Sequence, residues 1–366
     1  MHDNLHKSLR RKTNGAIAPV CRLSVVMPTV TWSGTFEACA RRVLELMDAT
    51  PGEVEFLAVL DGEASPPPSW LVRDDVTILS TGRRSGPAIA RNLAAEAARG
   101  DILLFVDSDV ELDDAAFGLI RSRFAADASL VAIFGTYDDE PAAIGTASQF
   151  RNLLHHHTHM THPGKAHTFW AGCGAIRTAK FRTSGGFDRR YRFPSIEDIE
   201  LGTRLAAHGD RIELDRSLRC KHHKSWTIRS MIHTDIVYRA VPWTRLMMNT
   251  SNLPPTLAID IRNRACGVLA ILSLASLPVA WLFPWALAVT LACLAGLFFL
   301  NLGFYRLCYR KRGLAFAGSA FALHVMFFTY ASLTFAAVVL HDLRGRSDRQ
   351  SAWLEGRVAV PVTERS

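Results

Sequence analysis

From residue 23 onward, short apolar runs alternate with longer stretches whose apolar positions recur every three or four residues. The runs at 23–28, 54–60, 76–79, 102–106 and 130–134 have the length and character of buried strands, the first stopped by Pro28. Residues 34–49 place Phe36, Ala40, Val43, Leu44 and Met47 on one helical face, and helices are also predicted over 87–99 and 114–126. Strand–helix alternation of this kind predicts an α/β fold with a mainly parallel sheet flanked by helices. Ligands of such sheets bind beyond the carboxyl ends of the strands, which is where Asp61 and Asp107 stand. Regularity fades between 135 and 225, where 168–177 predicts a strand and 197–208 a helix closed by Gly209.

The pattern then changes. Over 226–248, basic residues interleave with Ile228, Met231, Ile232, Ile236, Val237, Trp243 and Leu246, which predicts amphipathic helices lying at a membrane interface, with Trp226 and Trp243 at headgroup level. Residues 265–305 carry no formal charge, about twice the ~20 residues one spanning helix needs. Pro278 and Pro284 fall near the middle and predict a hairpin of two spans. Arg306, Arg310, Lys311 and Arg312 then form a basic loop, and 313–340 is a third candidate span interrupted by His324. A third crossing would carry Arg344, Arg346 and Arg349 away from the cytosolic side, against the preference of positive charge. A re-entrant or in-plane segment resolves that conflict. The boundaries that follow are a basic flexible tail at 1–21, a catalytic domain at 22–225, interface helices at 226–262, two to three spans within 263–342 and a C-terminal tail at 343–366.

Composition narrows the partners. The chain has 366 residues, 49% of them hydrophobic, with a formal net charge of +8 and a pI near 9.3. Such a balance suits a nucleotide diphosphate, an anionic lipid surface or nucleic acid. The seven cysteines are odd in number and lack CxxC spacing, which points away from disulfides and zinc and toward a reducing compartment. No apolar run follows the basic residues of the first twenty positions, so no secretory signal is predicted and the N-terminal part is expected in the cytosol.

Several segments could carry chemistry. Asp107-Ser108-Asp109 ends an apolar strand, and two carboxylates one residue apart can hold Mn²⁺ or Mg²⁺ against a diphosphate; the same tripeptide also makes an ordinary turn. Asp61 precedes Gly62 and can accept a hydrogen bond from a nucleobase or simply form a turn. Arg83, Arg84 and Gly86 precede a helix opened by Pro87, a plausible phosphate cradle. Glu197 and Asp198 could supply a general base, or Ser195 and Asp198 could form a capping-box-like pattern. The histidines at 155, 156, 157, 159, 162 and 167 read as a polar mobile loop near an acceptor rather than a metal site. His222, beside His223, could complete a metal sphere or belong to a surface pair.

Taken in order, these segments resemble glycosyltransferase family 2, whose fold is termed GT-A. Ser24-Val25-Val26-Met27-Pro28-Thr29 resembles the family's opening strand, and Leu60-Asp61-Gly62 its base-recognition turn, usually Asp-Asp-Gly-Ser. Gly86-Pro87-Ala88-Ile89-Ala90-Arg91-Asn92 matches its helix start, and Asp107-Ser108-Asp109 its metal motif. Gly172-Cys173-Gly174-Ala175-Ile176-Arg177 resembles the acceptor-side segment. Gly185-Gly186-Phe187-Asp188 with Glu197-Asp198-Ile199-Glu200-Leu201-Gly202 resembles the element holding the catalytic base.

The resemblance covers about residues 22–245. It implies a GT-A-type sheet followed by an α-helical transmembrane region. It implies an inverting, metal-dependent transfer of one sugar from a nucleotide-diphosphate sugar to a hydroxyl or phosphate of a lipid or membrane-proximal acceptor. By that resemblance Asp198 is the base, with Glu197 beside it. Pro28, Asp61, Arg84, Gly86, Arg91 and Asp107 bind the donor. Asp109, Asp107 and His222 hold Mn²⁺ or Mg²⁺, and Trp170, Gly172, Gly174 and Trp226 face the acceptor. The expected location is the inner membrane, multi-pass, with the catalytic domain cytosolic. Tyr238-Arg239-Ala240-Val241-Pro242-Trp243 stands where processive synthases carry Gln-x-x-Arg-Trp, which argues for transfer of a single sugar. The competing expectation is a membrane-anchored nucleotide-sugar-binding protein without turnover. A nucleotidyltransferase would need a glycine-rich loop where Pro28-Thr29-Val30-Thr31-Trp32 stands, and nucleic-acid binding explains neither the acidic motifs nor the apolar spans.

Overall fold

The computed structural model describes residues 22–249 and 260–344; the expected N-terminal tail, residues 250–259 of the interface segment and nearly all of the C-terminal tail lie outside the described residues. The chain opens with β1 (Leu23–Thr29), α1 (Gly34–Asp48), β2 (Val54–Leu60), β3 (Val76–Ser80), α2 (Pro87–Ala97) and β4 (Ile102–Val106). These four strands pair in parallel in the order β3-β2-β1-β4. Both faces are covered. Val25 and Met27 of β1 pack on one side with Phe36 and Val43 of α1. Val26 packs on the other with Ala90 and Ala94 of α2. Two-sided burial explains why these strands read as unbroken apolar runs rather than alternating ones. Pro28 does not stop β1. It pairs with Val59 two residues beyond the last β4 partner, Val26, so its missing N–H falls where one flank of the strand is open.

The second half comprises β5 (Val110–Leu112), α3 (Ala116–Ala126), β6 (Leu130–Tyr137), α4 (Thr146–Thr161), β7 (Gly164–Ala166), β8 (Cys173–Arg177), α5 (Thr178–Thr183), α6 (Glu197–Ala207) and β9 (Arg211–His222). β8 enters antiparallel between β4 and β6, and β9 carries β5 and β7 antiparallel at the far edge. The result is a mixed, mostly parallel sheet flanked by helices. The strand expected over 168–177 is confined to Cys173–Arg177. Before it the chain folds back: a Cβ on Gly172 would lie 2.6 Å from the Trp170 ring, and one on Gly174 2.3 Å from the Trp170 carbonyl.

The largest departure is the histidine-rich segment. It is no loop: His155, His156, His157 and His159 lie within α4. His156 Nδ1 meets the Tyr137 carbonyl at 2.7 Å and His159 Nδ1 the Gly135 carbonyl at 3.0 Å. The His155 ring packs between Tyr137 (4.3 Å) and Trp170 (4.6 Å). Burial lowers the His159 pKa to about 4 and drives His155 well below its ordinary value. The His155 and His159 rings therefore behave as neutral aromatic packing groups, a character that a hydropathy pattern does not assign to histidine.

Beyond the sheet come α7 (Ile228–His233), a π-helical stretch (Thr234–Ala240), α8 (Val241–Asn249), α9 (Ile261–Val279), α10 (Trp285–Leu300) and α11 (Leu302–Arg344). Trp226 does not project from an amphipathic surface. It is buried with Phe150 and Leu153 of α4, Met231 of α7 and Phe304 of α11. α9 and α10 form the predicted hairpin, turning between Pro278 and Trp285 and joined by Ser276···Thr290 at 2.8 Å. The expected basic loop at 306–312 is instead the first part of α11, which bends at Gly313, where φ is 80°. Among the described residues only α11 is long and apolar enough to cross a membrane by length and composition, and α10 is a shorter apolar helix.

Candidate active site

One cavity of about 1700 Å³ runs along the carboxyl ends of the parallel strands and on between the apolar helices. At its sheet end lie Pro28, Asp61, Arg84, Gly86, Arg91, Asp107 and Asp109, then Trp170, Glu197, Asp198, His222 and Trp226. Residues from seven separate stretches of chain thus share one space. Gly172 and Gly174, expected on the acceptor side, shape the turn that presents Trp170, as their close approaches show.

Asp61 ends β2 with a buried carboxylate. Oδ1 accepts from the Ser85 N–H at 2.8 Å and the Thr81 hydroxyl at 3.0 Å, and Oδ2 accepts from the Gly86 N–H at 2.9 Å. It therefore folds the 82–86 loop against the strand end. Gly86 has φ 94°, and a Cβ there would lie 2.2 Å from the Arg192 carbonyl oxygen, so only glycine fits. Arg84 and Arg192 line the cavity beside this loop.

Arg91 is buried in α2 and is already engaged. Nη2 donates to Asp107 Oδ1 at 2.6 Å and Nη1 to Glu197 Oε1 at 2.8 Å. The other Glu197 oxygen accepts from the Ser195 N–H at 2.9 Å. Glu197 is thus tied at one oxygen to a buried guanidinium, whereas its neighbour Asp198, also on the cavity wall, is held by backbone donors alone. Asp198 Oδ2 accepts from the Ala171 N–H at 3.0 Å and Oδ1 from the Ile199 N–H at 2.8 Å. Burial first, then the charge of Glu197, raises the Asp198 pKa to about 7. A carboxyl held near neutrality is suited to taking a proton. The capping-box alternative for Ser195 does not form: Ile196 is the N-cap, without a side-chain bond, and the Ser195 hydroxyl donates to the Tyr238 carbonyl at 2.8 Å.

At the opposite wall, His222 ends β9 and stacks on Tyr137, centroids 4.2 Å apart. Its Nε2 lies 3.9 Å from Asp109 Oδ2, too far for a hydrogen bond. Burial, then Lys224, lowers the His222 pKa to about 3, which leaves a neutral imidazole with a free lone pair. Burial, then Asp107, raises Asp109. A carboxylate oxygen and an imidazole nitrogen facing each other across such a gap suit a divalent cation. No three His, Cys, Asp or Glu side chains form a complete metal cluster among the described residues. Of the two Asp107 oxygens, Oδ1 is held by Arg91. The donor set fits a cation whose remaining positions are filled by substrate oxygens and water.

Sequence reasoning did not single out Tyr137, Arg192 or the cluster of Arg151, Asp235 and Tyr330, all of which line the cavity. Tyr137 had a signal, since it stands three residues past the fifth apolar run, at a strand's carboxyl end. The cluster had none, because Tyr330 meets Asp235 across 95 positions of sequence.

The sheet order and the flanking helices are those of a GT-A-type fold. Residues 24–185 match the family model described as Glycosyl transferase family 2. Over 164 residues, 39% of the chain, the sequence is 29% identical to the O-antigen biosynthesis protein RfbC of Myxococcus xanthus. That alignment takes in only 12% of the relative's length. Among solved structures, the mannosyltransferase PcManGT from Pyrobaculum calidifontis, in complex with GDP-Man and Mn²⁺, aligns with a TM-score of 0.53 and 16% identity, covering 89% of this chain and 88% of that one. GalNAc-T7 with UDP, GalNAc and Mn²⁺ aligns with a TM-score of 0.43 over 57% of this chain and 44% of that one.

Proposed function

We propose that the protein is a membrane-anchored, inverting glycosyltransferase that moves one sugar from a nucleotide-diphosphate donor to a hydroxyl or phosphate of a lipid acceptor. The supporting observation is the continuity of the cavity. It joins Asp61, Asp107 and Asp109 at one pole, Asp198 in the middle, and Ile271, Leu272 and Phe335 of the apolar helices at the other. A soluble acceptor has no use for the apolar pole; an amphiphile fills both.

In this reading the nucleotide lies along Pro28, Asp61 and the 82–86 loop, with Arg84 and Arg192 near its phosphates. Asp109 and His222 hold a divalent cation, Mn²⁺ or Mg²⁺, which when bound neutralises the departing diphosphate. Arg91 holds Asp107 in register and keeps Glu197 away from the acceptor. Asp198 takes the proton from an acceptor hydroxyl; the oxygen forms its bond to the anomeric carbon from the face opposite the nucleotide, and the sugar–phosphate bond breaks. The catalytic domain faces the cytosol, where nucleotide sugars and a reducing environment are found. A panel of nucleotide sugars with Mn²⁺ or Mg²⁺ and a membrane lipid extract, followed by mass and anomer analysis, tests the proposal. A single-sugar lipid of inverted configuration is expected. Long polymer, a retained anomer, or metal-dependent donor binding with no product for any donor would each overturn it, the last in favour of a binding protein.

A further inference from the structure

The three C-terminal helices make contacts of two different kinds. α9 and α10 pack on each other, and their turn exposes Trp281 (90%), Leu282 (66%) and Trp285 (65%). With 19 and 16 residues, they rise roughly 28 and 24 Å at 1.5 Å per residue, each short of the ~30 Å hydrocarbon thickness; neither passes as a lone spanning helix, and the paired hairpin reaches across with local thinning of the bilayer. Indole rings at the tip suit a headgroup layer.

α11 is anchored to polar groups of the catalytic side along its whole length. At its bend, Lys311 pairs with Asp139 at 2.7 Å and Arg312 with Glu140 at 3.0 Å. In its middle, the Tyr330 hydroxyl donates to Asp235 at 2.6 Å, and Asp235 is itself bound by Arg151 of α4 at 3.0 Å. Near its end, Asp342 accepts from Arg245 of α8 at 3.2 Å. From Arg312 to Asp342 a helix rises on the order of 45 Å. Had that rise been spent crossing the bilayer, Asp342 would sit on the far side from the catalytic domain. Instead it meets α8, ten residues from the Asp235 that Tyr330 holds.

The hairpin meets α11 only near its own base among the contacts seen. Phe321 packs on Phe298 at 5.7 Å; Phe328 clusters with Cys266, Ala270 and Leu297; Gly267 faces Ser332. α11 therefore passes first over the end of α10 and then over the start of α9. Its exposed residues Leu333, Ala336, Leu340 and Leu343 recur at spacings of three and four, forming one apolar stripe. Tyr330 and Asp342, which bind the catalytic side, lie off that stripe.

We infer that α11 beyond Gly313 lies in the plane of the membrane, stripe toward the acyl chains, and that the α9–α10 hairpin alone penetrates the bilayer. The surface so formed fits a lipid bilayer, and α11 ends on the catalytic side. The positive charge that the sequence carries at and just after this end favours the same side. This placement is independent of the reaction proposed above.

The test is site-directed spin labelling of the full chain, reconstituted in vesicles of phosphatidylethanolamine with phosphatidylglycerol. Cys21 is replaced by serine; the other six cysteines are buried. Labels at Leu333, Leu340 and Leu343 are expected at one shallow depth, and a label at Leu282 in the opposite headgroup layer, by oxygen against nickel-chelate relaxation. A C-terminal alkaline phosphatase fusion should be inactive in bacterial cells while a green fluorescent fusion is bright. Depth that passes through a maximum along α11, an active phosphatase fusion, or a Leu282 label on the catalytic side would overturn the inference.

Discussion

Arg91 Nη1 lies 2.8 Å from Glu197 Oε1, and both side chains are only 5% exposed. Without Arg91, Glu197 would be a buried charge with a single backbone donor. Breaking a buried pair by deleting one partner typically costs about 3–5 kcal/mol. Arg91→Met should therefore lower the unfolding free energy by about that much, measured by denaturant titration in detergent. Glu197→Gln removes the charge and keeps one acceptor oxygen, enough for Arg91 or for the Ser195 N–H but not for both; with one donor left unpaired and no buried charge stranded on the glutamine, its cost should fall nearer about 1–3 kcal/mol.

Asp198 should govern the acid limb of the rate. Its pKa is raised, so the proton stays on to higher pH than on an ordinary carboxyl, and the base form appears only as pH rises. Transfer is expected to increase with pH through about 7 and then level off, rather than being flat from pH 5 upward. Asp198→Asn should lower turnover by roughly 10²–10⁴-fold with little change in donor affinity. A wild-type rate in that variant removes Asp198 from the base role.

His222 offers a way to separate metal binding from packing. Replacing it with Phe keeps a ring on Tyr137, 4.2 Å away in the native stack, and removes the nitrogen that faces Asp109. Thermal stability should hold within a few degrees while the Mn²⁺ concentration giving half-maximal activity rises at least about tenfold, the range seen when metal-site partners are lost. Metal titration of activity and of donor binding checks this. An unchanged metal dependence would place the cation elsewhere.

Gly86→Ala should disturb the donor end selectively. The residue occupies φ 94°, and the added carbon would overlap the Arg192 carbonyl at 2.2 Å. A side chain in that backbone region costs about 1–3 kcal/mol, and relief requires the 82–86 loop to leave Asp61. The expected signature is a raised KM for the nucleotide sugar with acceptor KM unaltered.

How much of this was legible beforehand differs from element to element. The strands carrying Asp61 and Asp107 were plain because two-sided burial leaves uninterrupted apolar runs that end on acids. α4 was hidden because its histidines are buried through ring stacking and carbonyl contacts, which no hydropathy pattern credits. Ser195 has the composition of a cap, yet its hydroxyl goes to Tyr238, a partner 43 residues away. The engagement of Arg91 was equally invisible: Glu197 lies 106 positions along the chain, and only the fold brings them together. The two prolines did mark the hairpin turn, since a proline-flanked break in a charge-free stretch leaves few other folds.

The apolar pole of the cavity gives the sharpest test of the acceptor. Ala331 of α11 and Ile271 of α9 both line it, well beyond Asp198. Ala331→Trp adds a large ring to a space that a lipid chain would otherwise occupy, while the sheet end, where the nucleotide is proposed to lie, is untouched. If the acceptor's chain runs there, its KM should rise by an order of magnitude or more, because each excluded methylene forfeits about 0.8 kcal/mol of burial. Donor KM should not move, and a water-soluble acceptor analogue with a truncated chain should be used equally well by variant and wild type. Equal acceptor KM values in the two proteins would mean that the apolar pole does not hold the acceptor, whatever reaction the polar pole performs.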